Sequence, residues 1–346
     1  MPAEWEHHEA TWLAWPHRLS DWPGKFAAIP WVYTEIVRKL APGEIVRIIA
    51  RTARHEARAR RLLARANVDL SRVEFFRFPL DRGWTRDFGP IFVKKDGAGR
   101  RRGTVAIARF RFNAWAKYPD FARDDKVPER VARALGLPLR LARHDGRPVV
   151  LEGGSIDVNG RGTLITTEEC LLDPVVQVRN PGLAREGLEA VLGEALGAPN
   201  VVWLGRGIAG DDTHGHVDDV CRFVSPSRLV LCREDDPADA NYRPLEECRE
   251  RLRDARLEDG SRPEVVDLPM PRPLVFGGMR LPASYANFYV ANAAVLVPTF
   301  NDPADRQALG TLAELFPDRP VVGIHAVDLV WGLGTLHCLT QQQPAP

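Results

Sequence analysis

A cysteine framed by glycines late in the chain, within Gly332-Leu333-Gly334-Thr335-Leu336-His337-Cys338, has the setting of a placed nucleophile rather than of core filling. Only the thiolate attacks, and a free thiol titrates near ~8.5. Such a sulfur therefore needs a proton-handling partner, a third group that orients this partner, and a pocket that holds an electrophile. The upstream strings with suitable chemistry are Trp84-Thr85-Arg86-Asp87, Glu152-Gly153-Gly154 and Gly210-Asp211-Asp212-Thr213-His214-Gly215-His216-Val217-Asp218, each at an expected strand-to-loop junction. Several carboxylates around one cysteine suit a planar cation, because a guanidinium presents five N–H donors that carboxylates accept in bidentate pairs. A bound cation also lowers the pKa of a neighbouring thiol.

The histidine run allows a second chemistry. Residues two apart share one face of a strand, so His214, His216 and Asp218 together would form a set of metal ligands for a hydrolase. Against this, Asp219 follows where a further histidine would strengthen the set, and downstream only His325 and His337 remain. The primary reading therefore pairs Cys338 with one of these histidines and assigns no metal.

Composition narrows the class. The 346 residues are 45% hydrophobic and 27% charged with a formal net charge of +1, as in an ordinary globular chain with a large core. There is no basic surplus for nucleic acid, and no apolar run approaches the ~18 residues of a membrane span. Five cysteines without CxxC pairing fit a reducing cytoplasm better than a stapled secreted fold. A homo-oligomer is neither required nor excluded by the sequence.

The elements that must position these residues alternate. Met1 to Trp15 concentrates aromatics and histidines and is expected to pack irregularly on the body of the protein. Helices are predicted at 30–40, 52–66, 127–135, 183–196, 244–257 and 303–316 from apolar spacing and their Pro and Gly boundaries. Strands are predicted at 44–50, 73–78, 91–94, 104–110, 163–172, 200–204, 220–224, 228–232, 264–268 and 321–326, with a turn at Asp96-Gly97-Ala98-Gly99. Arg54, Arg58, Arg60, Arg61 and Arg65 read as the wet side of their helix. Roughly five times, paired strands precede a helix and a returning strand, a pattern that by itself also fits an open α/β sheet.

Five strings occur in a fixed order: Trp84-Thr85-Arg86-Asp87-Phe88-Gly89-Pro90, Glu152-Gly153-Gly154, Gly210 through Asp218, Ala286-Asn287-Phe288-Tyr289 and His337-Cys338-Leu339-Thr340-Gln341-Gln342. Together, from Met1-Pro2-Ala3-Glu4-Trp5 to the tail, they resemble the agmatine deiminase family, close to the bacterial peptidylarginine deiminase-like proteins. The resemblance implies an α/β pentein fold, a five-bladed propeller of ββαβ modules around a central active site, as a single catalytic domain over 1–346. It implies Cys338 as nucleophile, His216 as general acid and base, Asp87 and Asp218 as carboxylates gripping a guanidinium, and Glu152 as the partner of His216. Trp84 would wall the pocket, with Asp212 a further substrate-binding acid.

The implied reaction is cysteine-dependent deimination of a small cationic guanidine, foremost agmatine, without cofactor. Free or peptidyl arginine as substrate, amidino transfer, the metal-dependent hydrolase and a catalytically silent guanidine-binding protein stay open. Two positions depart from the family's usual Gly-Gly-Gly-Asn-Ile-His-Cys: Leu333 and Thr335 stand at its second and fourth places. The stretch Asp173 to Pro181 is also poorer in asparagine and arginine than the family's.

Overall fold

The computed structural model describes residues 1–95 and 103–346, so the turn expected at Asp96 to Gly99 lies outside the described residues. Five sheets among the described residues repeat one connection. Ile91–Lys95 runs antiparallel to Thr104–Arg109, which pairs in parallel with Leu139–Leu141 after the helix Val127–Leu135. The same order recurs in Asp157–Val158, Thr163–Thr167, helix Arg185–Leu196 and Asn200–Leu204. It recurs again in Cys221–Ser225, Arg228–Arg233, helix Tyr242–Asp254 and Glu264–Pro269. Tyr289–Val290, Val295–Thr299, helix Ala304–Leu315 and Val321–His325 form a fourth copy.

The remaining copy joins the two ends of the chain. Thr340–Pro344 lies antiparallel to His8–Ala14, which pairs in parallel with Ile45–Ala50 across the helix Ile29–Leu40, and Val73–Arg77 adds a further parallel strand. One sequence expectation changes here. The N-terminal stretch holds a regular strand, with Trp12 fully buried and hydrogen-bonded through Nε1 to Gln343 Oε1 at 2.9 Å. The Gln-rich tail is also a buried strand. Its amides find partners that glutamine alone does not reveal: Gln343 Oε1 accepts from Arg47 at 2.6 Å, and Gln342 Oε1 from Arg86 at 2.7 Å. A buried polar group is tolerated when paired in this way.

Most helix and strand expectations match within two residues at each end. Local chemistry explains why: Thr52 caps the helix Ala53–Arg65 by accepting from the His55 amide, and Gly136 and Gly197 end theirs at φ 66° and 68°. The arginines of Ala53–Arg65 do face solvent, while Leu63 is buried. The predicted strand 163–172 is shorter, because the Thr167 hydroxyl accepts from the Cys170 amide and starts a helical turn, Glu168–Leu172. No helix among the described residues is long and apolar enough to cross a membrane.

Candidate active site

Cys338 sits in a single helical turn, Leu336–Leu339, between the loop of Leu333 and the closing strand. Leu333 takes a left-handed conformation, φ 69° and ψ 28°, which costs a non-glycine residue about 1–2 kcal/mol. Gly334 is demanded by close approach: an added Cβ would stand 2.8 Å from Trp84 and 3.2 Å from the Cys338 sulfur. The loop is fixed by Asn287, whose Oδ1 accepts from the Thr335 hydroxyl at 2.7 Å and the His337 amide at 3.0 Å. Its Nδ2 donates to Cys338 Sγ at 3.2 Å and to Asp219 Oδ1 at 3.0 Å. Thr335 thus supplies a tether to Asn287 at a position where the family pattern has asparagine.

The thiol donates to Asp218 Oδ2 at 3.7 Å. Burial pushes its pKa well up, and Asp218, Asp219 and Asp87 push it further. The sulfur of the free protein is therefore a neutral thiol awaiting positive charge.

Asp87 lies in the helical turn Thr85–Phe88 and accepts from Trp115 Nε1 at 2.9 Å and from the Gly154 amide at 3.1 Å. Burial raises its pKa to about 6; nearby His216 restrains the rise, while Asp218 and Glu152 add to it. A Cβ on Gly154 would meet His216 Nδ1 at 2.6 Å and Asp87 Oδ1 at 2.8 Å, so glycine here lets the histidine and the acids converge.

His216 stands among three carboxylates. Its Nδ1 is 3.8 Å from Asp87 Oδ1 and 4.0 Å from Asp218 Oδ1, and its Nε2 is 3.7 Å from Glu152 Oε2. Burial disfavours the imidazolium, but Asp87, Cys170 and Glu152 outweigh it and hold the pKa well above the usual histidine range. Glu152 is fully buried, which opposes its ionisation, yet Arg179 and His216 bring its pKa down to about 2. Among the described residues, neither ring nitrogen of His216 has a hydrogen-bond partner, nor do Glu152 Oε2 and Asp218 Oδ1.

The expected strand through His214, His216 and Asp218 does not form. His214 has φ 65° and Gly215 φ 91°, followed by a 3-10 turn at Val217–Asp219, and this breaks the alternation that would have put all three on one face. His214 turns to Asp173, Nε2 to Oδ2 at 2.8 Å, leaving only His216 and Asp218 in the site. A different trio, Glu152, Cys170 and His216, brings ligand-type atoms within 4.8 Å of one another. Arg179 Nε on Glu152 Oε1 at 3.2 Å puts a fixed positive charge beside it, which opposes a divalent cation.

A cavity of about 680 Å³ leads to Cys338 past Trp84, Asp87, Trp115 and Leu333, with Arg18, Asp21, Arg82, Tyr118, Asp120 and Asp212 also lining it. Asp212 is on this lining but is engaged by Lys117 and by the Tyr118 hydroxyl at 2.8 Å. Of the candidate site residues, Trp84, Asp87, Asp212 and Cys338 line this cavity; Asp218 contacts Cys338, His216 stands beside Asp87 and Asp218, and Glu152 stands beside His216, without lining it. The sequence reading missed the supporting roles of Glu4, Arg179, Asn287 and His337. Asn287 carried a signal, as an amide embedded in an apolar run. Arg179 and Asn180 are what remains of the thinned stretch; Arg179 pairs with Glu152, and Asn180 pins Val150 through its amide and carbonyl at 2.8 and 2.9 Å.

Residues 1–344 match the model of the Porphyromonas-type peptidyl-arginine deiminase family. The agmatine deiminase of Stutzerimonas stutzeri is 37% identical over 369 aligned positions, covering all of this chain and 95% of that protein. Among solved structures, the agmatine deiminase of Enterococcus faecalis superposes with a TM-score of 0.89 at 29% identity, covering 99% of this chain and 95% of that one. A Cys-to-Ser variant of the C. jejuni agmatine deiminase with substrate bound gives a TM-score of 0.85 at 29% identity, with 99% and 95% covered. The five repeated ββαβ modules are accordingly those of a pentein propeller, and the chain belongs to the Porphyromonas-type peptidyl-arginine deiminase family.

Proposed function

We propose that the chain hydrolyses the guanidinium of agmatine to a ureido group and ammonia, giving N-carbamoylputrescine, with residues 1–346 acting as one catalytic unit. The observation that carries this is the cavity ending at Cys338, whose sulfur lies 3.7 Å from Asp218 beside a histidine ringed by carboxylates. A guanidinium between Asp87 and Asp218 neutralises the charges that hold the thiol protonated, so substrate binding releases the thiol proton to solvent and generates the thiolate. Cys338 then adds to the guanidinium carbon. The His216 imidazolium gives its proton to one NH2 group, the C–N bond breaks, ammonia leaves, and a cationic amidino-thioether remains. Neutral His216 next takes a proton from water as the oxygen bonds to that carbon. Collapse of the adduct breaks the C–S bond, expels the thiolate and releases the ureido product after loss of one proton.

The cavity supports agmatine over arginine. Four lining carboxylates, Asp21, Asp87, Asp120 and Asp212, face two lining guanidinium groups, Arg18 and Arg82. Arg18 and Arg82 are both held by Asp120, and Arg82 also meets Asp21 at 3.4 Å. No uncommitted cation among the described lining residues offers an α-carboxylate a partner, whereas a second amine suits the acidic surplus. Arginine, free or in peptides, is the second reading, favoured by the family's description. A cytoplasmic setting is inferred from five free cysteines.

The test is to incubate the purified protein with agmatine, arginine and arginine-containing peptides and to assay ammonia and ureido product. Agmatine turnover without an added amine acceptor is expected, and this also separates hydrolysis from amidino transfer. Turnover of none of the three sinks the reading. Full activity in a Cys338→Ser variant refutes the nucleophile.

A further inference from the structure

The segment preceding the first strand sends one buried carboxylate into the centre of the molecule. Glu4 is 5% exposed and His337, next to the candidate nucleophile, 1%. Both ring nitrogens of His337 face carboxylates: Nδ1 lies 2.7 Å from Asp218 Oδ2, and Nε2 lies 2.9 Å from Glu4 Oε2. An ionised carboxylate only accepts hydrogen bonds, so a ring paired at both nitrogens donates from both and is an imidazolium.

The surroundings agree with a cation at this position. Glu4 already accepts from Arg86 at 2.9 Å, from Arg222 at 3.0 Å and from the Val290 amide at 2.8 Å, which leaves it no role as a donor. Asp157 completes the charged group by accepting from Arg222 Nε at 3.1 Å. Glu4 and Asp157 therefore meet two guanidinium groups, and the His337 ring, between Glu4 and Asp218, is the third positive charge. Burial alone would neutralise Glu4, but Arg222, His337 and Arg86 hold its pKa well below the usual range.

We propose that Glu4 and His337 are a positioning pair for Asp218: Glu4 keeps the second proton on His337, and the imidazolium ties down Asp218 Oδ2 so that Oδ1 stays ionised and open to a guanidinium. Asp218 Oδ1 has no hydrogen-bond partner among the described residues, as this division of labour requires. Were the ring to lose a proton, one nitrogen lone pair would face a carboxylate, and either Asp218 or Glu4 would lose its anchor. The inference rests on reading Asp218 as a carboxylate that grips the substrate. It makes the N-terminal segment part of the site although Glu4 touches no reacting atom.

The experiment follows the histidine ring by 15N NMR in a Cys338→Ala protein without ligand, the His337 signals being assigned by their loss in His337→Gln. The expected result is a ring with two N–H protons at neutral pH. In Glu4→Gln the second N–H should be lost under the same conditions, and Glu4→Asp should restore it. Agmatine titrated into the same proteins should bind at least about tenfold more weakly in Glu4→Gln, with most of the affinity recovered in Glu4→Asp. A purely structural role for Glu4 would weaken binding without changing the ring's N–H signals. A His337 ring with a single N–H in the protein with native Glu4 overturns the proposal without recourse to any variant, and so do ring signals unchanged in Glu4→Gln. Failure of agmatine to bind, with the ring behaving as expected, sinks the substrate reading and leaves the Glu4–His337 pair standing.

Discussion

Replacing Asp218 by asparagine should make Cys338 more reactive toward an alkylating agent while abolishing turnover. The carboxylate lies 3.7 Å from the sulfur, and two unit charges at that distance interact by about 4 kcal/mol at an effective dielectric of ~20. Removing the negative charge therefore lowers the thiol pKa by about three units. The substitution is nearly isosteric, so burial, the largest influence on the thiol, is unchanged. At a pH well below the thiol pKa, the thiolate fraction rises by about a thousandfold. A less basic thiolate is also a poorer nucleophile, with a Brønsted coefficient of about 0.45. The net gain in alkylation rate is then roughly thirty- to fiftyfold.

The assay is the second-order rate of iodoacetamide modification as a function of pH, read by mass spectrometry at Cys338 against the four other buried cysteines. The midpoint of the rate profile should fall in Asp218→Asn, and deimination should disappear because one arm of the guanidinium grip is gone. If the midpoint stays where it is in the parent protein or rises, the carboxylates are not what holds the thiol neutral. Substrate-generated thiolate would then lose its basis.

Three further outcomes follow from neighbouring geometry. With its pKa raised to about 6, Asp87 is protonated over a range where an ordinary carboxylate is ionised. KM for agmatine should therefore climb as pH falls through about 6, by up to about tenfold per unit below it, and a KM flat from pH 7.5 to 5 contradicts this. Arg179→Met strands the Glu152 charge in a pair whose side chains are both 0% exposed, so denaturant unfolding should show a loss of about 3–5 kcal/mol; a loss below about 1 kcal/mol would mean that Glu152 is neutral or hydrated. Leu333→Gly relieves about 1–2 kcal/mol of left-handed strain but gives back roughly 0.5–1 kcal/mol in unfolded-chain entropy along with some packing. Stability should thus move by no more than about 1 kcal/mol, while the wider cavity lowers KM for arginine peptides relative to agmatine; destabilisation with unchanged selectivity would make Leu333 a packing residue only.

Legibility in the sequence followed the range of the interaction. Elements held by local chemistry were readable: the Val127–Leu135 helix ends at a left-handed Gly136 and matches its predicted bounds. Strand against loop at 214–218 was not, because a positive φ at His214 is invisible in composition, and the period-2 reading of His-x-His-x-Asp was equally consistent with the letters. The burial of the tail Thr340 to Gln343 was not legible, because the groups that satisfy its glutamines, Trp12, Arg47 and Arg86, lie more than two hundred residues away. Glu4 was likewise hidden. Nothing around Met1-Pro2-Ala3-Glu4 announces that its carboxylate will meet Arg86, Arg222 and His337 in the centre of the molecule.

One signal was present in the numbering. Asp87, Glu152, Asp218, Asn287 and Cys338 each stand two to five residues before the first strand of a module: Ile91–Lys95, Asp157–Val158, Cys221–Ser225, Tyr289–Val290 and Thr340–Pro344. Their spacings are 65, 66, 69 and 51 residues, close to the length of one ββαβ unit. Each crossing between modules thus delivers one polar side chain to the same central place, and this is why residues with no sequence proximity converge around one sulfur. A ring needs its last module to meet its first, and here that closure is the strand immediately after Cys338. The loop of Cys338 is therefore also the joint of the ring, held by Asn287, which precedes Tyr289–Val290, and by His8–Ala14. Backbone strain at Leu333 persists at this joint because the structure on both sides of it is already fixed.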